Sequence, residues 1–143
     1  MDRGQGCWNQ RRTEQARALS RFIDHLSRRY DEPRFLIVGD LNSYAREDPI
    51  VTLREAGFVD LIATHLPASQ RYSYVFRGES GRLDHALATP ALAADVAAVY
   101  VWHINADEPP FLGYDRPDNA AGLFAPDPFR ASDHDPILVD LQH

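Results

Sequence analysis

The chain has 143 residues, 44% of them hydrophobic and 25% charged, with a formal net charge of −6, the size and make-up of one globular domain with a single core. The acidic balance argues against a protein that binds by blanketing phosphates with cations. No apolar run approaches the roughly 18 residues of a membrane span, and the polar start MDRGQGCWNQRRTEQAR has no secretory signal core. All 15 basic residues are arginines, which excludes lysine nucleophile and Schiff-base chemistry. The single cysteine, Cys7, is a free thiol, a link to another chain, or one member of a pair whose partner is missing.

In chain order, Ala16, Leu19, Phe22, Ile23, Leu26 and Tyr30 recur three or four apart and predict an amphipathic helix over 13–30, ended by Pro33. The run FLIV, residues 35–38 between Pro33 and Gly39, predicts a strand buried on both faces. It puts GDLN, 39–42, at the carboxyl end of a strand, where open α/β sheets build sites. Asp48 as N-cap, Pro49 in the first turn and Gly57 beyond the end bracket a short helix over 49–56. YSYVF (72–76) and RLDHALA (82–88) alternate on either side of RGESG and predict a hairpin. Pro90 opens a helical turn up to Asp95, and AVYVWHI (98–104) and PILVDL (136–141) predict the last two strands. The stretch between them, rich in Pro, Asp, Asn and Gly, is long for a structureless loop and reads as functional or disordered.

Three acidic constellations stand at or beside strand ends: Asp40 with Asn42, Asp84 with His85, and Asp133 with His134. Each alone has an ordinary structural reading, since Asp, Asn and Ser form turns and a buried Asp next to a His can be a satisfied polar pair. Their recurrence in one setting is the functional signal. His85 follows Asp84 on a strand, so it points to the opposite face and favours a packing role. His103 favours a structural role, and Arg82 favours an ion pair over phosphate contact. Tyr44 and Arg46 read equally well as substrate contacts or as a solvated loop.

Taken in order, GDLN after a strand, RLDHAL in a strand and SDHDP before the terminal strand resemble the endonuclease/exonuclease/phosphatase superfamily, the fold of pancreatic deoxyribonuclease and apurinic endonuclease. GQGCWN, GDLNSYAREDPI, YSYVF, RLDHALATP and HINADEP extend the likeness to bacterial secreted nucleases within it. The resemblance implies an α/β (α+β) domain over 1–143. It would be the C-terminal half of a four-layer α/β/β/α sandwich, one mixed or antiparallel sheet with helices on one face. It implies a divalent-metal-dependent phosphodiester hydrolase, a nuclease acting on DNA, or a phosphatase or phospholipase of the same superfamily.

The same resemblance assigns Asp40 to orienting or deprotonating the attacking water and Asn42 to positioning that carboxylate or the phosphate. His134 would meet a phosphate oxygen, and Asp84 would hold the His134 ring. Asp133, with Asp40 and Asn42, would bind Mg²⁺, Mn²⁺ or Ca²⁺, which prefer oxygen ligands. The metal-binding Glu that the first half of the fold normally supplies has no counterpart before GDLN. The chain is therefore expected to be a C-terminal fragment of a secreted parent, itself without a signal peptide. Its uncovered sheet face would be met by a second copy or by a separate first-half polypeptide. An inactive truncated module, acting only by association, is the competing expectation.

Overall fold

The computed structural model describes residues 5–113 and 127–142. Much of the Pro- and Asp-rich stretch before the last strand lies outside the described residues. The chain forms a mixed α+β domain with the element order α1 (Asn9–Tyr30), β1 (Leu36–Asp40), α2 (Asp48–Glu55), β2 (Val59–Asp60), α3 (Leu61–His65), β3 (Tyr74–Phe76), β4 (Glu79–Gly81), β5 (Asp84–Ala88), α4 (Pro90–Ala93), β6 (Val96–Val101) and β7 (Ile137–Leu141). Among the described residues the strands form three antiparallel ladders, β1-β5-β2, β3-β4 and β6-β7, in place of the one sheet expected. Among the described residues, no helix is long and apolar enough to cross a membrane.

Two clusters sandwich β5. On one side Leu87 packs with Ile37, Leu53, Phe58 and the α1 residues Ala16 and Ile23. On the other, Ala86 and Ala88 pack with Leu61, Ile62, Val99 and Val101. This alternation is what a strand covered on both faces requires, and β5 is that strand.

The expectation for FLIV is corrected here. In β1 only Ile37 is buried, while Leu36 and Val38, on the alternate face, are 37% and 54% exposed, because the cluster with α1 covers the Ile37 face alone. Helix α1 begins four residues before the predicted start. Its N-cap, Trp8, is left-handed and gives no side-chain cap; Arg12 fastens this first turn instead, through contacts described below. Its buried positions are Thr13, Ala16 and Ile23, a narrower stripe than predicted, and Phe22 and Tyr30 are 57% and 65% exposed. Helix α2 matches the short helix expected there, with Glu47 rather than Asp48 at the N-cap.

The predicted hairpin is also corrected. YSYVF turns back through only Arg77 and Gly78, with φ of 52° and 82°, and pairs with Glu79–Gly81. A two-residue turn with both φ positive matches the twist of the flanking strands. RLDHALA pairs instead with β1, in the register Val38↔Ala86 and Asp40↔Asp84. A Cβ at Gly81 would collide with the Tyr44 ring, so glycine is what lets the residue-44 loop close over this hairpin.

Candidate active site

The Asp40↔Asp84 register brings two of the sequence-predicted residues side by side. Directly opposite residues on an antiparallel pair share a face, with Cβ atoms about 5 Å apart. Asp84 then gathers the third. Its Oδ2 accepts from His134 Nδ1 at 2.7 Å and from Ser73 Oγ at 2.7 Å. The side chains of His134 and Asp84 are 22% and 14% exposed, so the pair is largely shielded and still reachable. With Nδ1–H committed to the carboxylate, the ring's orientation is fixed and Nε2 is the nitrogen left for a ligand.

The β3 segment is the template for this pair. Ser73 is fully buried; its hydroxyl holds Asp84, and its carbonyl accepts from Asp135 N at 2.8 Å. Tyr74 forms an isolated antiparallel bridge with His134, and the two rings lie 4.6 Å apart, tilted by 33°. One short strand thus seats both partners of a contact fifty residues apart in sequence. Nothing in YSYVF beyond its polar serine between two aromatics signals this role.

The GDLN turn is a local construction. Asp40 Oδ1 accepts from Asn42 N at 2.7 Å, and Oδ2 accepts from Asn42 Nδ2 at 3.1 Å. Asn42 takes φ 48°, a left-handed conformation that Asn tolerates. The turn is braced from below by His85, which is fully buried and whose Nε2 donates to the Ser43 carbonyl at 2.8 Å. Burial pushes the His85 ring's pKa down, outweighing the carbonyl contact that raises it. His85 therefore packs on the face opposite Asp84, as the strand alternation predicts.

Arg12 braces the turn from the side, and sequence reasoning missed it. Its Nη1 donates to the Asn42 carbonyl at 2.8 Å, to Ser43 Oγ at 2.5 Å and to Glu47 Oε2 at 2.7 Å. Its Nε donates to the Cys7 carbonyl at 2.9 Å, and Nη2 donates to the Gln5 carbonyl. One guanidinium, whose five donors sit in a rigid fork, joins the GQGCWN loop to the GDLNSY loop. On the helical pattern Arg12 is one more surface arginine; only the fold reveals its partners.

His103 is structural in this arrangement. The Asp135 side chain is fully buried and accepts from His103 Nδ1 at 2.8 Å and from the backbone amides of Asn105 and Ala106 at 2.9 Å each. Asn105 Nδ2 in turn donates to the His134 carbonyl at 2.7 Å. Arg82 forms a buried bidentate pair with Asp60, at 3.1 and 2.5 Å. Cys7 is an exposed free thiol.

Asp133 precedes His134 and is exposed. Asp40 and Asp133 offer the hard oxygen donors that Mg²⁺, Mn²⁺ and Ca²⁺ prefer. Among the described residues, however, no three carboxylate, imidazole or thiol groups come together as a metal-binding cluster. The described side chains do not by themselves fit a divalent cation.

The sequence matches the Endonuclease/Exonuclease/phosphatase family over residues 3–134. The chain belongs to that family. The family match spans all three motifs, from GDLN through RLDHAL to His134 of SDHDP. No curated protein matches the chain. Among solved structures, the family domain described here is similar to the 3'-5' exonuclease (NExo) from Neisseria meningitidis. The TM-score is 0.60 at 20% identity, with 90% of this chain and 52% of that chain covered. The family domain thus spans about half the length of that exonuclease, and at this identity the likeness concerns the fold.

Proposed function

We propose that this member of the endonuclease/exonuclease/phosphatase family is a phosphodiester hydrolase, specifically a nuclease acting on DNA. The observation that carries the reading is the Asp84–His134 pair seated beside Asp40 at the end of β1. Hydrolysis of a phosphodiester needs a positioned water in line with the leaving oxygen and hydrogen-bond donors aimed at the phosphoryl oxygens. Asp40, held at both oxygens by Asn42, is the group that orients the water and takes its proton. His134, locked through Nδ1 by Asp84, presents Nε2 to a non-bridging phosphate oxygen. Asp84 is a positioning residue, kept in place by Ser73.

Divalent-metal dependence is part of this proposal; Asp40, Asn42 and Asp133 are the residues that would supply oxygen ligands, and they do not complete a site by themselves. The solved relative extends well beyond the matched half, and Leu36, Val38, Tyr100, Trp102 and Leu138 are exposed apolar side chains. Both observations suit a domain that works against a second half or another copy.

The test is plasmid hydrolysis by the purified chain with and without Mg²⁺ or Mn²⁺, beside an Asp40→Ala, His134→Ala variant prepared identically. Metal-dependent cleavage lost in the variant is the expected result. Cleavage retained by the variant sinks the site assignment. Release of phosphate from a phosphomonoester, without plasmid cleavage, redirects the reading to a phosphatase.

A further inference from the structure

A second site follows from the arginines that the Asp84–His134 pair does not use. A cleft of about 760 Å³ opens between the loop after GDLN and the β3–β4 hairpin, lined by Arg46, Arg54, Arg71 and Arg82 with Asp60 the one carboxylate. This volume lies within the range of ordinary ligand sites, and the lining is strongly positive on a chain of net charge −6. Two of the four arginines are already committed. Arg82 is paired with Asp60, and Arg71 donates to the carbonyls of Leu66 and Ala63 at 2.8 Å each. The side chains of Arg46 and Arg54 are exposed and have no hydrogen bond or ion pair among the described residues. Arg82, which also lines the cleft, is 7% exposed, and its Nε is buried without a hydrogen-bond partner among the described residues.

We propose that Arg46 and Arg54 form a phosphate subsite that holds a neighbouring phosphate of a nucleic-acid strand whose scissile phosphate lies at His134. The inference rests on the nuclease reading and names the residues that would hold the strand beside its scissile phosphate. Its location carries the point. The cleft reaches Tyr72 and Gly81, which flank Ser73 in sequence and in hydrogen bonding, with Ser73 N donating to the Gly81 carbonyl. Ser73 holds Asp84, yet neither Asp84 nor His134 lines the cleft. An anion bound there would therefore lie next to the Ser73 strand, in a position separate from one at His134. A guanidinium pair suits it, because the planar fork matches phosphate oxygens two at a time. A monoester has no second phosphate to place there; an oligonucleotide has one on each side.

The test is fluorescence anisotropy with a fluorescein-labelled single-stranded oligodeoxynucleotide in the presence of a chelator, so that binding is read without hydrolysis. The unaltered chain, Arg46→Ala/Arg54→Ala and Arg46→Lys/Arg54→Lys are compared over a salt series. The alanine pair is expected to weaken binding at least 10-fold and to flatten the slope of log K against log salt by about 1.4, two contacts at about 0.7 each for single strands. The lysine pair is expected to keep the slope and lose part of the affinity. Unchanged affinity and slope in the alanine pair overturns the subsite, as does an absence of oligonucleotide binding by the unaltered chain. Equal, arginine-dependent binding of a deoxynucleoside monophosphate overturns the chain specificity. Arginine-dependent binding without plasmid cleavage refutes the catalytic reading alone, and cleavage undiminished in the alanine pair refutes the subsite alone.

Discussion

Replacing Arg12 by alanine should unseat the turn that holds Asp40, and the cost can be worked from its contacts. The guanidinium serves Glu47, Ser43 and the carbonyls of Asn42, Cys7 and Gln5, with Arg12 and Glu47 side chains 16% and 11% exposed. Removing one partner of a buried ion pair costs about 3–5 kcal/mol, because the other charge is left without compensation. The residual exposure at both ends places Arg12→Ala near the lower limit, about 3 kcal/mol. That is a large share of a domain's stability, and for this chain length it lowers Tm by about 6–12 °C. Urea unfolding followed by tryptophan fluorescence, with thermal unfolding by circular dichroism, gives the comparison. The control is Arg34→Ala, whose partner Glu32 is also well exposed and whose loss should leave Tm unchanged within error. Glu47→Gln in the Arg12→Ala background should cost little more, since the two share one interaction. An Arg12→Ala effect below about 1 kcal/mol, the size of a surface pair, would refute the bracing role.

In the functional assay, His134→Ala is expected to lower kcat by about 10²–10³, and adding Asp84→Asn to it should lower kcat little further, since the two act as a unit; additive losses would separate them. Ser73→Ala leaves the Asp84 carboxylate short of a buried donor and should cost about 1–3 kcal/mol in urea unfolding, while Ser73→Thr tests whether the hydroxyl alone suffices. Stability should also respond to acid through His85, whose folded-state pKa burial depresses below its ordinary 6.5. The unfolded chain takes up that proton first, so the contribution is fully present above about 6.5 and fades as pH falls toward the folded value; His85→Gln should flatten this limb of the pH profile. Tyr72 donates to Asp107 at 2.6 Å, which pushes its pKa up to about 12. An ultraviolet titration should find a late tyrosine that returns toward 10 in Asp107→Asn.

Much of the candidate site's geometry was legible because its residues are ends of strands or lie next to them. Asp40, Asp84 and His134 each follow a local pattern, and the family resemblance supplied the contact between the last two before the fold displayed it at 2.7 Å. The residues that hold them in place were not legible. Ser73 and Arg12 act through partners 11 and up to 35 positions away, and neither sequence periodicity nor turn chemistry encodes such distances. The hairpin error has a related cause. Alternation in RLDHALA specifies a strand and a face but not a partner, and the two positive-φ residues Arg77 and Gly78 close a tighter hairpin that leaves β5 free to pair with β1. FLIV reads as doubly buried because an apolar run looks the same whether one face of its strand is covered or both; here only the Ile37 face of β1 is covered, and Leu36 and Val38 face outward.

That edge position has a consequence for who reaches Asp40. Among the described residues β1 is hydrogen-bonded on one side only, to β5, and an unpaired strand edge is a template for another strand. Any segment that added itself there would run alongside Leu36 and Val38 and arrive at Asp40, the last residue of the strand. Association at this edge and approach to the carboxylate would then compete for the same few ångströms, so a strand docked on β1 would act as a gatepost to the site as well as a seam.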